Sequence, residues 1–215
     1  FEQQVLETGS YHYLTPESYG WARMEHRTSE FLFSIFDFKG KTVLDIACGT
    51  GEFSAEIASQ GGKVVGIDAS SVVTKEASGR NYKEDVTFLP ADVYNLPFPD
   101  NSFQVVVLRA CLHHFYRPMD ALREVSRITK KIILVEANGI NPYRKFMENF
   151  SSMYRRLEEK SFTIFKLKNM ISEIEGSITK TKYFNIIPAI VPKSLLGILE
   201  PIESLIEKTV LIRVL

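Results

Sequence analysis

Nine residues restrict this fold more than any others: Val43-Leu44-Asp45-Ile46-Ala47-Cys48-Gly49-Thr50-Gly51. An apolar, β-branched run meets a glycine turn. A helical segment, Glu52 to Gln60, follows until Gly61-Gly62 stops it. A strand that passes through a tight turn into a helix is the opening of a crossover, which parallel strands require. The glycines are expected to let the backbone approach a ligand with no Cβ in the way. The free N–H groups at the helix start suit a carboxylate or phosphate.

The unit repeats along the chain. Lys63 to Asp68 reads as a second strand, and Ser70 and Ser71 can cap a helix running to about Asn81. Val86 to Ala91 is a third strand that ends at Asp92. Leu96-Pro97-Phe98-Pro99-Asp100-Asn101 is a loop, because two prolines forbid both a helix interior and a ladder. Phe103 to Leu108 is a fourth strand, apolar on both faces as a central parallel strand should be. Met119 to Thr129 is a helix and Lys131 to Glu136 a fifth strand. Strands alternating with helices imply an α/β fold with a doubly wound, mostly parallel sheet and helices on both faces. The strand C-termini then share one edge, where ligands bind.

Outside this core the pattern changes. Residues 1–38 read as helical with loop breaks, opened in part by Thr15-Pro16-Glu17. Residues 39–138 form the core. Residues 139–215 are expected to add helices after the fifth strand and the closing elements of the same domain. Within them Pro142 to Glu175 looks helical, aromatic and basic, and Ile178 to Ile187 alternates like a strand. The Leu/Ile/Pro-rich stretch from Pro188 reads as two short amphipathic helices. Thr209 to Leu215 fits either a last strand or a helix end.

The acids sort the chemistry. Asp45 lies near the end of the first strand, Asp68 ends the second and Asp92 follows the third, spaced 23 and 24 positions apart. A dinucleotide site wants a third glycine three positions after Gly51, and Ser54 stands there. Asp45 would repel a pyrophosphate but suits a ligand ammonium. Asp68 can accept from both hydroxyls of a ribose. Asp92 can accept an exocyclic adenine amine while the Val93 N–H meets a ring nitrogen. Each acid alone reads as an ordinary cap or Asx-turn. In register on three successive strands, they read as one site.

Composition removes other classes. Lys+Arg and Asp+Glu are both 26, so no net charge draws the chain to nucleic acid. Cys48 and Cys111 have no metal-ligand spacing, so no metal is expected. No basic region precedes an apolar stretch at the start, and no apolar run is long enough to span a bilayer. A cytoplasmic location is the expectation.

VLDIACGTG, GIDAS, ADVYNLPFPDNSFQVVV, LRACLHHF and LREVSRI together resemble the class I S-adenosylmethionine-dependent methyltransferases. The likeness is strongest to the type 11 branch, which acts on small molecules and lipids, and covers about residues 40–138. It implies a Rossmann-like fold with residues 1–38 as a helical lid and a helical substrate cap within residues 139–215, S-adenosyl-L-methionine as methyl donor and S-adenosyl-L-homocysteine as product. It places Asp45, Ala47, Gly49 and Gly51 along the methionine end, Asp68 on the ribose, Ala69 beside the adenine, Asp92 and Val93 on the adenine edge, and Arg109 and Ala110 at the sulfonium. Ala47 stands where the family often has a glycine. The usual Lys-Pro-Gly-Gly turn before the fifth strand is shortened to Ile128-Thr129-Lys130-Lys131.

His113 and His114 follow the fourth strand. Two roles stay open for them: a general base toward a hydroxyl acceptor, or packing and a structural hydrogen bond. Tyr11 or Arg27 can contact the methionyl carboxylate from the lid, or belong to an aromatic stripe with a solvated charge. The acceptor implied is a small or lipid-like molecule, with peripheral membrane contact by the tail as one option and core or dimer packing as another. The competing functions are a nicotinamide-dependent oxidoreductase and a non-catalytic module that keeps the fold.

Overall fold

Val43, Leu44 and Ile46 are buried because strand β1 (Thr42–Ile46) lies mid-sheet, covered on both faces. The computed structural model describes residues 19–83, 85–151, 160–188 and 191–209. These fall into two compact units: residues 38–177, and residues 19–37 with 178–209.

Helix α1 (Tyr19–Ile35) precedes β1 and belongs to the second unit; in the first unit the order after β1 is α2 (Glu52–Ser59), β2 (Lys63–Asp68), α3 (Ser71–Gly79), β3 (Val86–Pro90), β4 (Val105–Arg109), α4 (Pro118–Ile128), β5 (Ile132–Val135), α5 (Pro142–Phe150) and α6 (Ile164–Glu173). The sheet order is β3-β2-β1-β4-β5 and every pairing is parallel. From β1 the chain steps outward to β3, then returns to β4 and steps the other way. Right-handed crossovers therefore put α2 and α3 on one face and α4 on the other. The reversal between β1 and β4 makes their C-terminal ends the switch point, where a crevice opens in such sheets.

Packing follows the sequence pattern. Val105, Val106, Val107 and Leu108 of β4 are fully buried. Ala121, Leu122, Val125 and Ile128 line one stripe of α4 against Leu44, Ile67, Val106 and Leu108. Each larger side chain there contributes about 1.5–3 kcal/mol of apolar burial. Ser70 caps α3 by accepting from the Val73 N–H at 3.3 Å. Pro90 closes β3 at the sheet edge, where a missing N–H costs no ladder bond.

The second unit pairs α1 (Tyr19–Ile35) with α7 (Lys193–Thr209) through buried charge. Arg23 bonds Glu200 at 2.8 Å and also Glu203, and Arg27 bonds Glu207 at 2.7 Å. The strand expected over Ile178 to Ile187 does not form. The N–H groups of Asn185 and Ile187 donate to the carboxylates of Glu207 (2.9 Å) and Glu203 (2.8 Å), and Asn185 takes a left-handed φ of 55°. Donors spent on side chains cannot build a ladder. The two short helices expected after Pro188 are instead one, continuous through Pro201. Pro201 strips a partner from the Gly197 carbonyl, but Gly197 is exposed, so water can satisfy it. The Thr15-Pro16-Glu17 helix start and most of the Thr209 to Leu215 segment lie outside the described residues.

Candidate active site

Asp45 is 2% exposed, and its Oδ2 accepts a 2.6 Å hydrogen bond from Ser54 Oγ on the first full turn of α2. Burial pushes the Asp45 carboxyl up to about 6, against the lowering effect of Ser54 and of the nearby Arg109 charge. A charge so placed favours a cationic neighbour.

Beyond β1 the chain alternates in hand. Ala47, Gly49 and Gly51 take φ values of 57°, 57° and 90°. This winding aims the Gly49 N–H at Asp68 Oδ2, 3.2 Å away, while Asp68 Oδ1 accepts from the Ser70 N–H at 3.0 Å. Asp68 is buried, which raises its carboxyl, and these backbone donors oppose the rise. Outside the turn, Tyr82 Oη donates to the Thr50 carbonyl at 2.7 Å, and Thr50 Oγ1 donates to Glu52 Oε2 at 2.6 Å.

Packing also requires the glycine at 51. A Cβ there would lie 2.4 Å from Phe88 Cζ, and one on Gly66 would lie 2.7 Å from Phe88 Cδ1. The missing side chain of Gly51 makes room for the Phe88 ring.

Asp92 is exposed and closes an Asx-turn with the Tyr94 N–H at 2.9 Å, beside a buried Val93. Ala69 is exposed between Asp68 and the capping Ser70. Arg109 ends β4 with its guanidinium 4.3 Å from the centroid of the Phe53 ring, and Ala110 turns the chain with a φ of 51°. Arg27 lies in the second unit, where Glu207 and Asn185 engage its guanidinium. Tyr11 lies outside the described residues. No cluster of His, Cys, Asp or Glu side chains able to hold a metal occurs among the described residues.

His113 and His114 close a short 3-10 turn, with ring centroids 4.1 Å apart. His113 Nδ1 lies 2.6 Å from Glu136 Oε2, and both side chains are buried. Glu136 also accepts from the N–H groups of Cys111 and Leu112 at 3.1 and 2.8 Å. The candidate set drawn from the sequence omits Glu136. The signal was there, since it is another acid immediately after a strand. Burial raises the thiols of Cys48 and Cys111, against the thiolate form.

A surface cavity of about 620 Å³ sits at the opposite, N-terminal end of the strands, lined by Thr42, Lys63, Asp85 and Thr87. It lacks the convergent acids, and the switch-point edge remains the better-founded site.

Residues 44–132, about two fifths of the chain, match the family model described as "Methyltransferase domain". The demethylmenaquinone methyltransferase of Renibacterium salmoninarum is 38% identical over 100 residues, covering 45% of this chain and 41% of that protein. The uncharacterized methyltransferase YcgJ of Bacillus subtilis is 30% identical over 125 residues, covering 55% and 49%. The crystal structure of YcgJ superposes with a TM-score of 0.62 over 74% of this chain and 73% of that one, at 23% identity. The matches span about half the length of these curated relatives or less.

Proposed function

From a core that carries the class I methyltransferase fold and matches the family over residues 44–132, we propose that this chain transfers a methyl group from S-adenosyl-L-methionine to a small-molecule acceptor. The observation that carries the reading is a pair of buried carboxylates, Asp45 and Asp68, at the ends of adjacent parallel strands beside the switch point.

The residues fit the donor. Asp45 faces a desolvation cost as a carboxylate, which a ligand ammonium offsets. Asp68 holds one backbone N–H on each oxygen, and the second lone pair of each suits the two ribose hydroxyls. Asp92 and the Val93 N–H read the adenine edge, with Ala69 against its face. Ala47, Gly49 and Gly51 line the methionine end, and Arg109 and Ala110 border the reacting centre. Tyr11 or Arg27 makes a contact to the methionyl carboxylate. Arg27 would first have to leave Glu207 to make one.

When bound, S-adenosyl-L-methionine supplies an electrophilic methyl: the bond from sulfur to methyl breaks as the bond to the acceptor forms, and S-adenosyl-L-homocysteine leaves. The rest is alignment and exclusion of water. His113, with the His114 ring tilted at 44° beside it, takes the proton the acceptor gives up.

A quinol is the first acceptor class to test, because the relatives include enzymes named for demethylmenaquinone. Exposed Ile140, Phe146, Phe150 and Phe165 in and beside the elements after β5 support a partly apolar acceptor. Exposed Leu195, Ile198, Ile202 and Leu205 on α7 support peripheral contact with a lipid surface in the cytoplasm. No helix among the described residues is long and apolar enough to cross a membrane.

The oxidoreductase reading loses support at Ser54, whose hydroxyl is bound to Asp45 where a dinucleotide fold wants a third glycine. The test is incubation with methyl-tritiated S-adenosyl-L-methionine and a panel of demethylated naphthoquinols, phenols and amines. Label in one acceptor, lost in Asp45→Asn, is the expected result. No label in any acceptor, from protein that still binds the cofactor, favours a non-catalytic module.

A further inference from the structure

We infer that Glu136 is a positioning residue for the transfer reaction, acting through His113. Glu136 follows β5 directly, and the register Arg109↔Val135 brings it level with the strap that leaves β4. Its Oε1 accepts the N–H groups of Cys111 and Leu112, and its Oε2 lies 2.6 Å from His113 Nδ1. Side-chain exposure is 2% for Glu136 and 5% for His113.

Stability alone does not explain this arrangement. Buried charge pairs are often no better for stability than apolar side chains of the same size. What the pair does is orient. A carboxylate only accepts, so the hydrogen sits on Nδ1. In the neutral ring Nε2 is then the accepting nitrogen. When Nε2 takes a proton, the imidazolium forms against a carboxylate already in place. The two backbone N–H bonds fix the carboxylate, so the ring inherits its orientation from the strap itself. The same logic, a base oriented by a third group, recurs in unrelated nucleophilic sites.

This inference rests on the reading of His113 as the proton acceptor. Its test separates the two. In ¹⁵N-histidine-labelled wild-type protein without ligand, long-range ¹H–¹⁵N correlation is expected to show His113 with hydrogen on Nδ1. Glu136→Gln keeps an oxygen for Cys111 and Leu112 but turns an NH2 on Nδ1, so the hydrogen should move to Nε2. Methyl transfer should then fall about 100-fold while S-adenosyl-L-homocysteine binds as in the wild type. Hydrogen on Nε2 in the wild type overturns the inference, and this needs no variant to fold. So does Glu136→Gln with the shifted tautomer and an unchanged transfer rate. If the wild type binds no S-adenosyl-L-homocysteine, the cofactor reading fails instead, and the tautomer still reports on Glu136.

Discussion

Ser54 Oγ donates a 2.6 Å hydrogen bond to Asp45 Oδ2, and both residues are buried. Two positions that set this sequence apart from a dinucleotide motif are therefore one structural unit. Restoring the third glycine by Ser54→Gly would strip the carboxylate of that donor and place a flexible residue in a helix. A loss of about 1–3 kcal/mol is expected from the unsatisfied group, read as a lower urea midpoint with an unchanged slope.

Asp45 also gives the fold a pH signature. Its folded carboxyl stands at about 6, above the ordinary unfolded value. The proton is thus held more tightly in the folded state. That contribution is fully present below about pH 4 and is lost as pH rises through 6. It amounts to about 3 kcal/mol for a shift of about two units. Asp45→Asn should flatten the slope between pH 4 and 7, leaving the share that the raised Asp68 carboxyl contributes. Urea midpoints measured across that range decide it: a slope as steep in the variant as in the wild type assigns the effect to another group.

Binding should show the same group from the other side. A ligand ammonium favours ionised Asp45, so binding at pH 6, where this carboxyl is about half protonated, should release up to about half a proton. Affinity for S-adenosyl-L-homocysteine should weaken as pH falls from 7.5 to 5. Calorimetry in two buffers of different ionisation enthalpy measures the release, and Asp45→Asn should abolish it.

Ala47 holds a left-handed φ of 57° that costs a non-glycine residue about 1–2 kcal/mol. Ala47→Gly should be neutral to stabilising by about 1 kcal/mol, the relief being partly offset by glycine's larger loss of chain entropy. Ala47→Val should lose at least about 2 kcal/mol, since a β-branched side chain tolerates this region worst. Thermal unfolding ranks the three proteins, and a valine variant as stable as the wild type contradicts the assigned backbone.

Gly51→Ala should be costlier, since its Cβ would press on the Phe88 ring and its φ is 90°. A loss of about 2–4 kcal/mol combines overpacking with backbone strain. Phe88→Ala placed in the same chain should recover part of it. Strict additivity of the two changes in a double-mutant cycle would mean that the ring is not what the glycine accommodates.

The five strands and their acids are legible because the signals are local: β-branched runs, glycine turns and a capping Ser70. The segment 178–187 misleads because its alternation is genuine, yet its Asn185 and Ile187 N–H groups are taken by Glu207 and Glu203 from far along the chain. No window around Asn185 contains those carboxylates. Pro201 reads as a break when seen alone, but the helix passes through it because Gly197 faces water. Asp45 and Ser54 are both visible in the sequence, whereas the bond between them belongs to the packing of α2 on β1. Glu136 is the instructive omission, being visible as a strand-end acid but given its place only by the strap after β4.

Calorimetric titration of the purified protein with S-adenosyl-L-homocysteine, with NADH in parallel, tests the central claim most directly. The prediction is micromolar binding, roughly −8 kcal/mol. That binding should be lost in an Asp68→Ala variant still folded by circular dichroism, with no heat from NADH. Binding of NADH, or no binding of S-adenosyl-L-homocysteine by folded wild-type protein, contradicts the account.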